Sequence, residues 1–211
     1  MGISTHDLAV ETPRPVRLSD VRVVDIVPEA KQGRAEVRHY TVSEMDAWRA
    51  AQKRMRSLAG EKVAQLFVDG KMVMSDSYAE RVSNFEVVIK AQGDVLIAGL
   101  GVGMILRPLL SNPKVSSVTV VEECQDVIDL VAPYYADLKL RVVQGDIYSW
   151  RPEKGIKYAT LYFDIWGDIS QGHLEQMAKL HQAFKGYKQS KDSWMNSWSR
   201  EHLQDLKRRG Y

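Results

Sequence analysis

Three glycines follow an apolar stretch at alternate positions near the middle of the chain. The segment VLIAGLGVG is typical of a buried strand that runs into Gly99, Gly101 and Gly103. Glycine has no Cβ, so it permits a tight turn and lets the backbone approach a ligand closely. The helix predicted to follow would point its N-terminal amides at the same place. The alternative is a turn that only packs closely against its neighbours, and the glycines alone do not separate the two.

Two acidic residues stand where the next two predicted strands end. Glu122 lies twenty-one positions after the second of these glycines, and a carboxylate there can accept hydrogen bonds from both hydroxyls of a ribose. Asp146 is placed to accept from an adenine amino group, with Ile147 or Tyr148 flanking the base. Each acid has a local alternative, Glu122 or Glu123 as a helix-start carboxylate and Asp146 as a turn or cap residue. Because three strand ends carry suitable residues in the right order, a nucleotide pocket is the favoured interpretation.

The spacing of the glycines discriminates between nucleotide cofactors. A dinucleotide fold has the pattern G-x-G-x-x-G or A. The sixth position here is Met104 when counted from Gly99 and Leu106 when counted from Gly101, which disfavours NAD. The pattern G-x-G-x-G after an apolar strand is typical of the first motif of S-adenosylmethionine-dependent methyltransferases. We therefore predict S-adenosylmethionine as the cofactor.

Two aspartates and a tryptophan follow the fourth predicted strand. Asp164 and Asp168 flank Trp166, at the edge of the sheet where open α/β sheets bind ligands. A general base, a second carboxylate and an aromatic wall suit the deprotonation of an amine or hydroxyl in line with a sulfonium carbon. We predict Asp164 and Asp168 as catalytic residues and Trp166 as a substrate contact. Alternatively, Asp164 caps the next helix or contacts the amino group of the ligand.

The elements that must position these residues begin at Asp94, where buried strands alternate with helical segments. This alternation predicts an α/β fold with a doubly wound and mostly parallel sheet. The glycine motif, which resembles that of methyltransferases, implies the methyltransferase-like Rossmann type. Strands are expected at Val95–Ala98, Ser117–Val121, Lys139–Val143 and Thr160–Phe163, with a polar fifth strand near Ser193–Ser197. Helices are expected near residues 103–111, 124–136, 172–185 and 199–209. Pro108 should kink or delay the first of these helices, and the C-terminus is shortened after the fifth strand.

The N-terminal part has a different pattern. Residues 1–20 predict a loosely held arm, followed by two short strands at Val21–Val27 and Ala35–Val42. A helix is expected between Ser43, at a capping-box position, and Gly60. Asp69-Gly70 suits a type I′ hairpin between strands 63–68 and 71–74. We therefore divide the chain into residues 1–93, an arm and a small β-rich cap that contains the hairpin, and residues 94–211, an α/β domain that binds S-adenosylmethionine.

A family resemblance rests on motifs between about Ala64 and Asp168, roughly half of the chain. The hairpin LFVDGKMVMSD, VLIAGLGVG, VTVVEE, GDIYSW and LYFDIW occur in the order that is found in the superfamily of spermidine synthases and methyltransferases. The sequence therefore resembles a class I S-adenosylmethionine-dependent methyltransferase of the spermidine synthase-like kind.

This resemblance implies roles for individual residues. The implied cofactor ligands are Gly99, Gly101, Gly103, Glu122, Asp146, Ile147 and Asp164. Spermidine synthases carry a catalytic aspartate after the fourth strand, which implies that Asp164 takes the proton of the attacking group. Glu86, in the segment where spermidine synthases have Tyr-His-Glu, is the implied substrate contact beside Trp166. The N-terminal hairpin is implied in a homodimer.

Several positions depart from the aminopropyl transferases. Val102 stands where their glycine loop contains an aspartate, and Val73 stands where their hairpin has a glutamine. The Asn/Asp-Pro-Pro-aromatic motif of enzymes that methylate amino groups of nucleic acids is absent as well. We therefore expect an enzyme that transfers a methyl group to a small-molecule acceptor, with Asp164 as base. Aminopropyl transfer, another cleavage of S-adenosylmethionine, or binding without catalysis are the alternatives.

Composition limits the remaining possibilities. The 29 Lys+Arg residues nearly balance the 27 Asp+Glu residues, so a dedicated nucleic-acid binder is not indicated. Cys124 is the only cysteine, which excludes an intramolecular disulfide and favours a reducing compartment. No apolar run approaches the roughly 18–20 residues of a membrane helix, and the histidines show no metal-binding spacing. The expectation is a soluble, cytoplasmic protein without a metal.

Overall fold

The computed structural model describes residues 14–52 and 56–210. The strands are β1 Ala30–Gln32, β2 Ala35–Thr41, β3 Lys62–Val68, β4 Lys71–Ser75, β5 Gly93–Ala98, β6 Val115–Glu122, β7 Leu140–Gln144, β8 Thr160–Phe163 and β9 Trp194–Ser197. The α-helices are α1 Glu44–Gln52, α2 Tyr78–Ser83, α3 Phe85–Lys90, α4 Leu106–Leu110, α5 Gln125–Val131, α6 His173–Phe184 and α7 Arg200–Arg208. Residues 1–13 of the predicted arm and 53–55 of the first predicted helix lie outside the described residues.

The N-terminal part forms a four-stranded antiparallel sheet in the order β1-β2-β3-β4. The hairpin predicted at Asp69-Gly70 is confirmed, since Val68 pairs with Lys71 across these two residues. Asp69 and Gly70 have φ angles of 52° and 76°. Positive φ at both central residues is what a type I′ turn requires.

The strand predicted at Val21–Val27 is wrong. Leu18–Val21 forms a short 3-10 turn instead, and the first strand of the sheet is β1. The N–H groups of Val23 and Val24 donate to one carboxylate oxygen of buried Asp76, at 2.8 and 3.2 Å, whereas the other oxygen accepts from the Ala64 N–H at 2.7 Å. A side chain thus takes the backbone donors that a strand ladder would have used.

The second sheet confirms the predicted fold class. Its five strands are all parallel, in the order β7-β6-β5-β8-β9. Chain order reverses between β5 and β8, and open α/β sheets bind ligands at such a reversal, beyond the carboxyl ends of the strands. The polar fifth strand does form, as the edge strand β9 paired with β8.

Successive side chains of β5 point to opposite faces of the parallel sheet, as the pleat requires. Val95 and Ile97 lie in a hydrophobic core with α4, α5 and the antiparallel sheet. Leu96 and Ala98 lie in a second core, formed mainly with α6 and α7. Helices cover both faces, so this sheet is doubly wound.

The first crossover helix confirms the expected effect of Pro108. The helix begins only at Leu106, so the proline occupies its first turn. A missing N–H is harmless there, because the first N–H groups of a helix have no partner within it. Gly103 and Met104 are left in the turn between β5 and α4.

The predicted boundary at residue 93 coincides with the first residue of β5. One hydrophobic core includes Val37 and Leu66 of the antiparallel sheet together with Val95 and Ile97 of the parallel sheet. The division into two domains stays a prediction. Among residues 14–52 and 56–210, no helix has the length and apolar character needed to cross a membrane.

Candidate functional site

A cavity of about 500 Å³ lies at the carboxyl edge of the parallel sheet. Its lining includes Gly99 and Gly101 after β5 and Asp164 after β8, so it opens at the reversal of strand order. The loops after β6 and β7 continue the lining, and the hairpin of β3 and β4 contributes residues from Leu66 to Met74. The cavity is therefore enclosed by both sheets, and its volume is in the range of small-molecule sites.

Two positions of the turn after β5 require glycine, because other parts of the protein lie too close to them for a side chain. Gly99 has φ 92°, and a Cβ there would lie 2.1 Å from the carbonyl oxygen of Asp164. Gly101 has φ 53°, and its Cβ would lie 2.1 Å from the sulfur of Met74. These distances are far below van der Waals contact, so the turn meets β8 and β4 only because side chains are absent.

Gly103 serves a different contact. It has φ 73°, and a Cβ there would lie 2.3 Å from the ring of Tyr135. Gly103 is not part of the cavity wall, unlike Gly99 and Gly101. The tyrosine hydroxyl donates to the Val102 carbonyl at 3.0 Å, so Tyr135 holds the outer end of the turn.

Glu122 ends β6 with its carboxylate in the cavity wall. One oxygen accepts the N–H of Leu100 at 2.8 Å, and the other accepts the N–H of Cys124 at 2.9 Å. A carboxylate has about four acceptor positions, so two remain after these bonds. Glu122 therefore ties the glycine turn to the start of α5 and still has the capacity to receive a pair of hydroxyl donors.

Asp146, Ile147 and Tyr148 line the cavity after β7. One carboxylate oxygen of Asp146 accepts the N–H of Tyr148 at 2.8 Å, and its carbonyl accepts the N–H of Trp150 at 2.7 Å. Ile147 is buried, whereas Asp146 and Tyr148 are exposed. Asp146 thus acts as a turn residue through one carboxylate oxygen. Its second carboxylate oxygen remains able to accept a hydrogen bond from a ligand.

Asp164 shares the cavity with a second acidic side chain, Glu80 of α2. The pKa of Asp164 is raised to about 8, first by burial and then by the negative charge of Glu80, while a hydrogen bond from Asn84 lowers it. Burial also raises the pKa of Glu80, whose two oxygens accept from the N–H and hydroxyl of Ser75 at 3.1 and 3.0 Å. A cation bound between these carboxyls would lower both pKa values.

Buried Asn84 connects this acidic pair to the sheet. Its amide nitrogen donates to the Glu80 carbonyl at 3.3 Å, and its amide oxygen accepts from the Tyr162 hydroxyl at 3.0 Å. Tyr162 is itself buried in β8. The Asn84 amide, which lowers the pKa of Asp164, is therefore held in a defined orientation.

Trp166 is buried, lines the cavity and faces His173, with 6.1 Å between their ring centroids. Its indole N–H donates to the side-chain oxygen of Gln176 in α6 at 2.8 Å. The same oxygen accepts from the hydroxyl of Tyr148 at 3.2 Å. The loops after β7 and β8 are thus joined through one residue of α6.

Besides Gly103, two predicted site residues do not line the cavity, namely Glu86 and Asp168. Glu86 is exposed, and its carboxylate accepts from the Asn196 amide at 3.4 Å. The exposed Asp168 pairs with a ring nitrogen of His173 at 3.6 Å. The carboxyl that the structure brings to the cavity beside Asp164 is that of Glu80.

Sequence reasoning missed Glu80, Asn84, Met74 and Gln176, all of which line the cavity. The first two are four residues apart and follow the hairpin, a spacing that places both on one helix face and could have indicated them. No local pattern indicates Gln176, because its partners come from two other loops.

The chain was compared with known proteins. No protein-family model and no curated protein matches it. Among solved structures, spermidine synthase from Thermotoga maritima matches at 18% identity and a TM-score of 0.43, over 59% of this chain and 46% of that one. The CcbJ methyltransferase from Streptomyces caelestis matches at 17% and 0.40, over 54% and 45%. The plantazolicin methyltransferase BpumL in complex with SAH matches at 15% and 0.39, over 59% and 47%.

The chain spans less than half the length of these three proteins. Both classes of the predicted resemblance, methyltransferases and spermidine synthases, are among the similar solved structures.

Proposed function

We propose that the chain binds S-adenosylmethionine in the 500 Å³ cavity and transfers its methyl group to a small-molecule acceptor. The observation that carries this proposal is the Glu122 carboxylate, which lines the cavity, is fixed by two backbone N–H groups and has two acceptor positions left. A ribose offers two adjacent hydroxyl donors, which is the complement that such a carboxylate selects.

The other lining residues fit the remaining parts of this ligand. Asp146, with one unused carboxylate oxygen, suits an exocyclic amino group, and the buried Ile147 suits the face of a base. Gly99 and Gly101 leave the backbone of the turn accessible beside the ribose site. Glu80 and Asp164 line the same wall, and the charge of Glu80 acts on Asp164, so a sulfonium or an ammonium group finds opposite charge there.

Asp164 is the proposed base. The cofactor supplies the methyl group, the acceptor forms the new bond to it, and the carbon–sulfur electron pair stays on the sulfur. The proton that the acceptor loses moves to the Asp164 carboxylate. A base with a pKa close to the working pH transfers protons most effectively, and the pKa of Asp164 is about 8 before a cation lowers it.

Thermal unfolding tests the cofactor. A ligand that binds only the folded state raises the unfolding temperature with concentration. We expect S-adenosylmethionine and S-adenosylhomocysteine to raise it, and NAD to leave it unchanged. A rise with NAD alone would contradict the proposal. E122A should reduce this rise, because it removes the proposed ribose contact. E123A is its matched control, since Glu123 lines the same cavity but has no proposed ribose contact.

A second candidate is transfer in which a cationic amine takes part, including aminopropyl transfer. The paired carboxyls of Glu80 and Asp164 favour it, because two acids beside an apolar wall attract a cation. Val73 lines the cavity at the position where aminopropyl transferases have a glutamine. That apolar side chain is the reason to rank methyl transfer first.

The nucleoside product separates the candidates. Methyl transfer releases S-adenosylhomocysteine, attack on the longer chain releases methylthioadenosine, and a binding protein returns its ligand intact. Chromatography of reactions with amine and hydroxyl acceptors gives the answer directly. D164N should abolish the product and keep affinity for S-adenosylhomocysteine, whereas D168N should retain the product. Full activity in D164N would remove Asp164 from the proposed reaction.

A further inference from the structure

Three side chains from three elements meet at one oxygen in the cavity wall. The side-chain oxygen of Gln176, in α6, accepts from the Trp166 indole at 2.8 Å and from the Tyr148 hydroxyl at 3.2 Å. Trp166 follows β8, Tyr148 follows β7, and all three residues line the cavity. Gln176 is therefore held beside Tyr148, which follows Asp146 and Ile147 in the same loop.

The two donors define which way the amide of Gln176 is turned. An indole nitrogen can only donate, so the atom 2.8 Å from it must be the amide oxygen. The usual ambiguity between the oxygen and nitrogen of a glutamine amide is thereby removed. The NH₂ group of Gln176 consequently points away from Trp166, and it has no hydrogen-bond partner among the described residues.

The hydrophobic core does not require this residue. α6 packs into the protein through Met177, Leu180 and Phe184, whereas Gln176 is exposed. The Gln176 oxygen accepts two hydrogen bonds, so the amide is held at the cavity wall while both of its N–H donors remain unused by the residues that the structure describes. Asp146, nearby in the same wall, offers an acceptor instead.

We propose that Gln176 is a nucleobase-binding residue, whose NH₂ group donates a hydrogen bond to a ring nitrogen of the base. This inference rests on the proposed function, and it names the part of the ligand that selects for a base. Asp146 as acceptor and Gln176 as donor together recognise a base that carries an amino group and an unprotonated ring nitrogen, as adenine does. Hypoxanthine, with a carbonyl in place of the amino group, is disfavoured.

Two variants separate this role from a purely structural one. Q176E keeps an oxygen for Trp166 and Tyr148 but loses the NH₂ donors. Q176M has a similar length and loses both the oxygen and the donors. The probes are S-adenosylhomocysteine and its 1-deaza, 3-deaza and 7-deaza analogues, each of which lacks one of the three unsubstituted ring nitrogens of the base. The measurement is calorimetric affinity with the full chain.

We expect both variants to bind S-adenosylhomocysteine roughly three- to tenfold more weakly than the wild type, the range for one neutral hydrogen bond. One of the deaza analogues should bind the wild type more weakly by a similar factor, and Q176E should cause no further loss with that analogue. Unfolding temperatures without ligand show that the variants are folded.

Other outcomes overturn the assignment. Wild-type affinity in Q176E with a loss only in Q176M would mean that Gln176 merely positions Trp166 and Tyr148. If a variant weakens the binding of S-adenosylhomocysteine and of every deaza analogue by the same factor, a bond from Gln176 to a ring nitrogen is excluded. If the wild type binds S-adenosylhomocysteine and neither variant is weakened, Gln176 makes no contact and the proposed function stands. If the wild type binds none of the probes, the proposed function fails and the assignment fails with it.

Discussion

Replacing Asp164 by Asn tests the site without any ligand or acceptor. The side chain is held beside Glu80 and Asn84 in the cavity wall, and its pKa is raised from 3.8 to about 8. Burial is the main cause, and the Glu80 charge is the second. Asn has nearly the same shape as the protonated carboxyl and cannot ionise, so D164N removes the titration while it keeps the volume.

The sign of the effect follows from the proton balance. Between about pH 4 and pH 8 the unfolded chain has an ionised Asp164, whereas the folded chain keeps it protonated. The folded state then binds one more proton, so the free energy of unfolding falls as the pH rises through this window. D164N cannot ionise at this position, so its free energy of unfolding does not fall for this reason. The variant should match the wild type near pH 4 and become the more stable of the two as the pH approaches 8.

The magnitude comes from the size of the shift. Each pKa unit corresponds to about 1.36 kcal/mol, so a shift of about four units from 3.8 to about 8 sets an upper limit near 5 kcal/mol. The carboxyl borders a solvent-accessible cavity, which weakens charge effects relative to a dry interior. We expect a gain of about 2 kcal/mol at pH 9, or roughly 4–8 °C in unfolding temperature for a chain of this size.

Urea or thermal unfolding of the wild type and D164N at pH 5, 7 and 9 is the assay. D168N is the control, since Asp168 is an exposed carboxylate in the same loop, and its curve should parallel the wild type at every pH. The reasoning is refuted if the stability difference between D164N and the wild type is the same at pH 5 and pH 9. It is also refuted if D168N shows the same pH dependence as D164N.

Three further predictions concern the glycine turn, the ribose site and the hairpin. G103A should destabilise the fold, because its Cβ would lie 2.3 Å from the Tyr135 ring at a φ of 73°. Denaturation should show that G103A costs less stability in a Y135A background than in the wild type, and equal costs in the two backgrounds would contradict the clash. E122A should weaken S-adenosylhomocysteine binding by roughly 1.5–3 kcal/mol in calorimetry, and unaltered affinity would place the ribose elsewhere. It should also lower stability, since the Leu100 and Cys124 N–H groups lose their acceptor. The hairpin at Asp69 should mediate a homodimer, and a monomer in sedimentation at micromolar concentration would contradict that.

The central strands β5 and β8 could be predicted because each is a short apolar run that is buried over most or all of its length. Thr160–Phe163 was predicted with the observed bounds, and Val95–Ala98 within two residues of them. The hairpin was predictable for another local reason, since Asp69-Gly70 satisfies the positive φ angles of its turn. Such features depend on residues that are neighbours in the chain.

The strand predicted at Val21–Val27 is wrong because a residue that is distant in the chain decides the local structure. Its β-branched residues fit a strand, but Asp76, more than fifty positions away, takes the N–H groups of Val23 and Val24. Glu86 is predicted from the family resemblance and Asp168 from its place beside Trp166, and neither lines the cavity. Glu80 and Asn84 reach it through the turn from β4 into α2.

The sequence by itself determined the alternation of strands and helices, the glycine turn after β5, the acid that ends β6 and the acid that follows β7. These follow from periodicity and from backbone angles that glycine alone adopts easily, and both are local properties. Only the tertiary structure decided that Met74 covers Gly101, that Glu80 raises the pKa of Asp164, and that Gln176 joins two loops. The physical reason is that contact, burial and charge depend on distance in space, and these partners are brought together only when the two sheets and α6 close around the cavity.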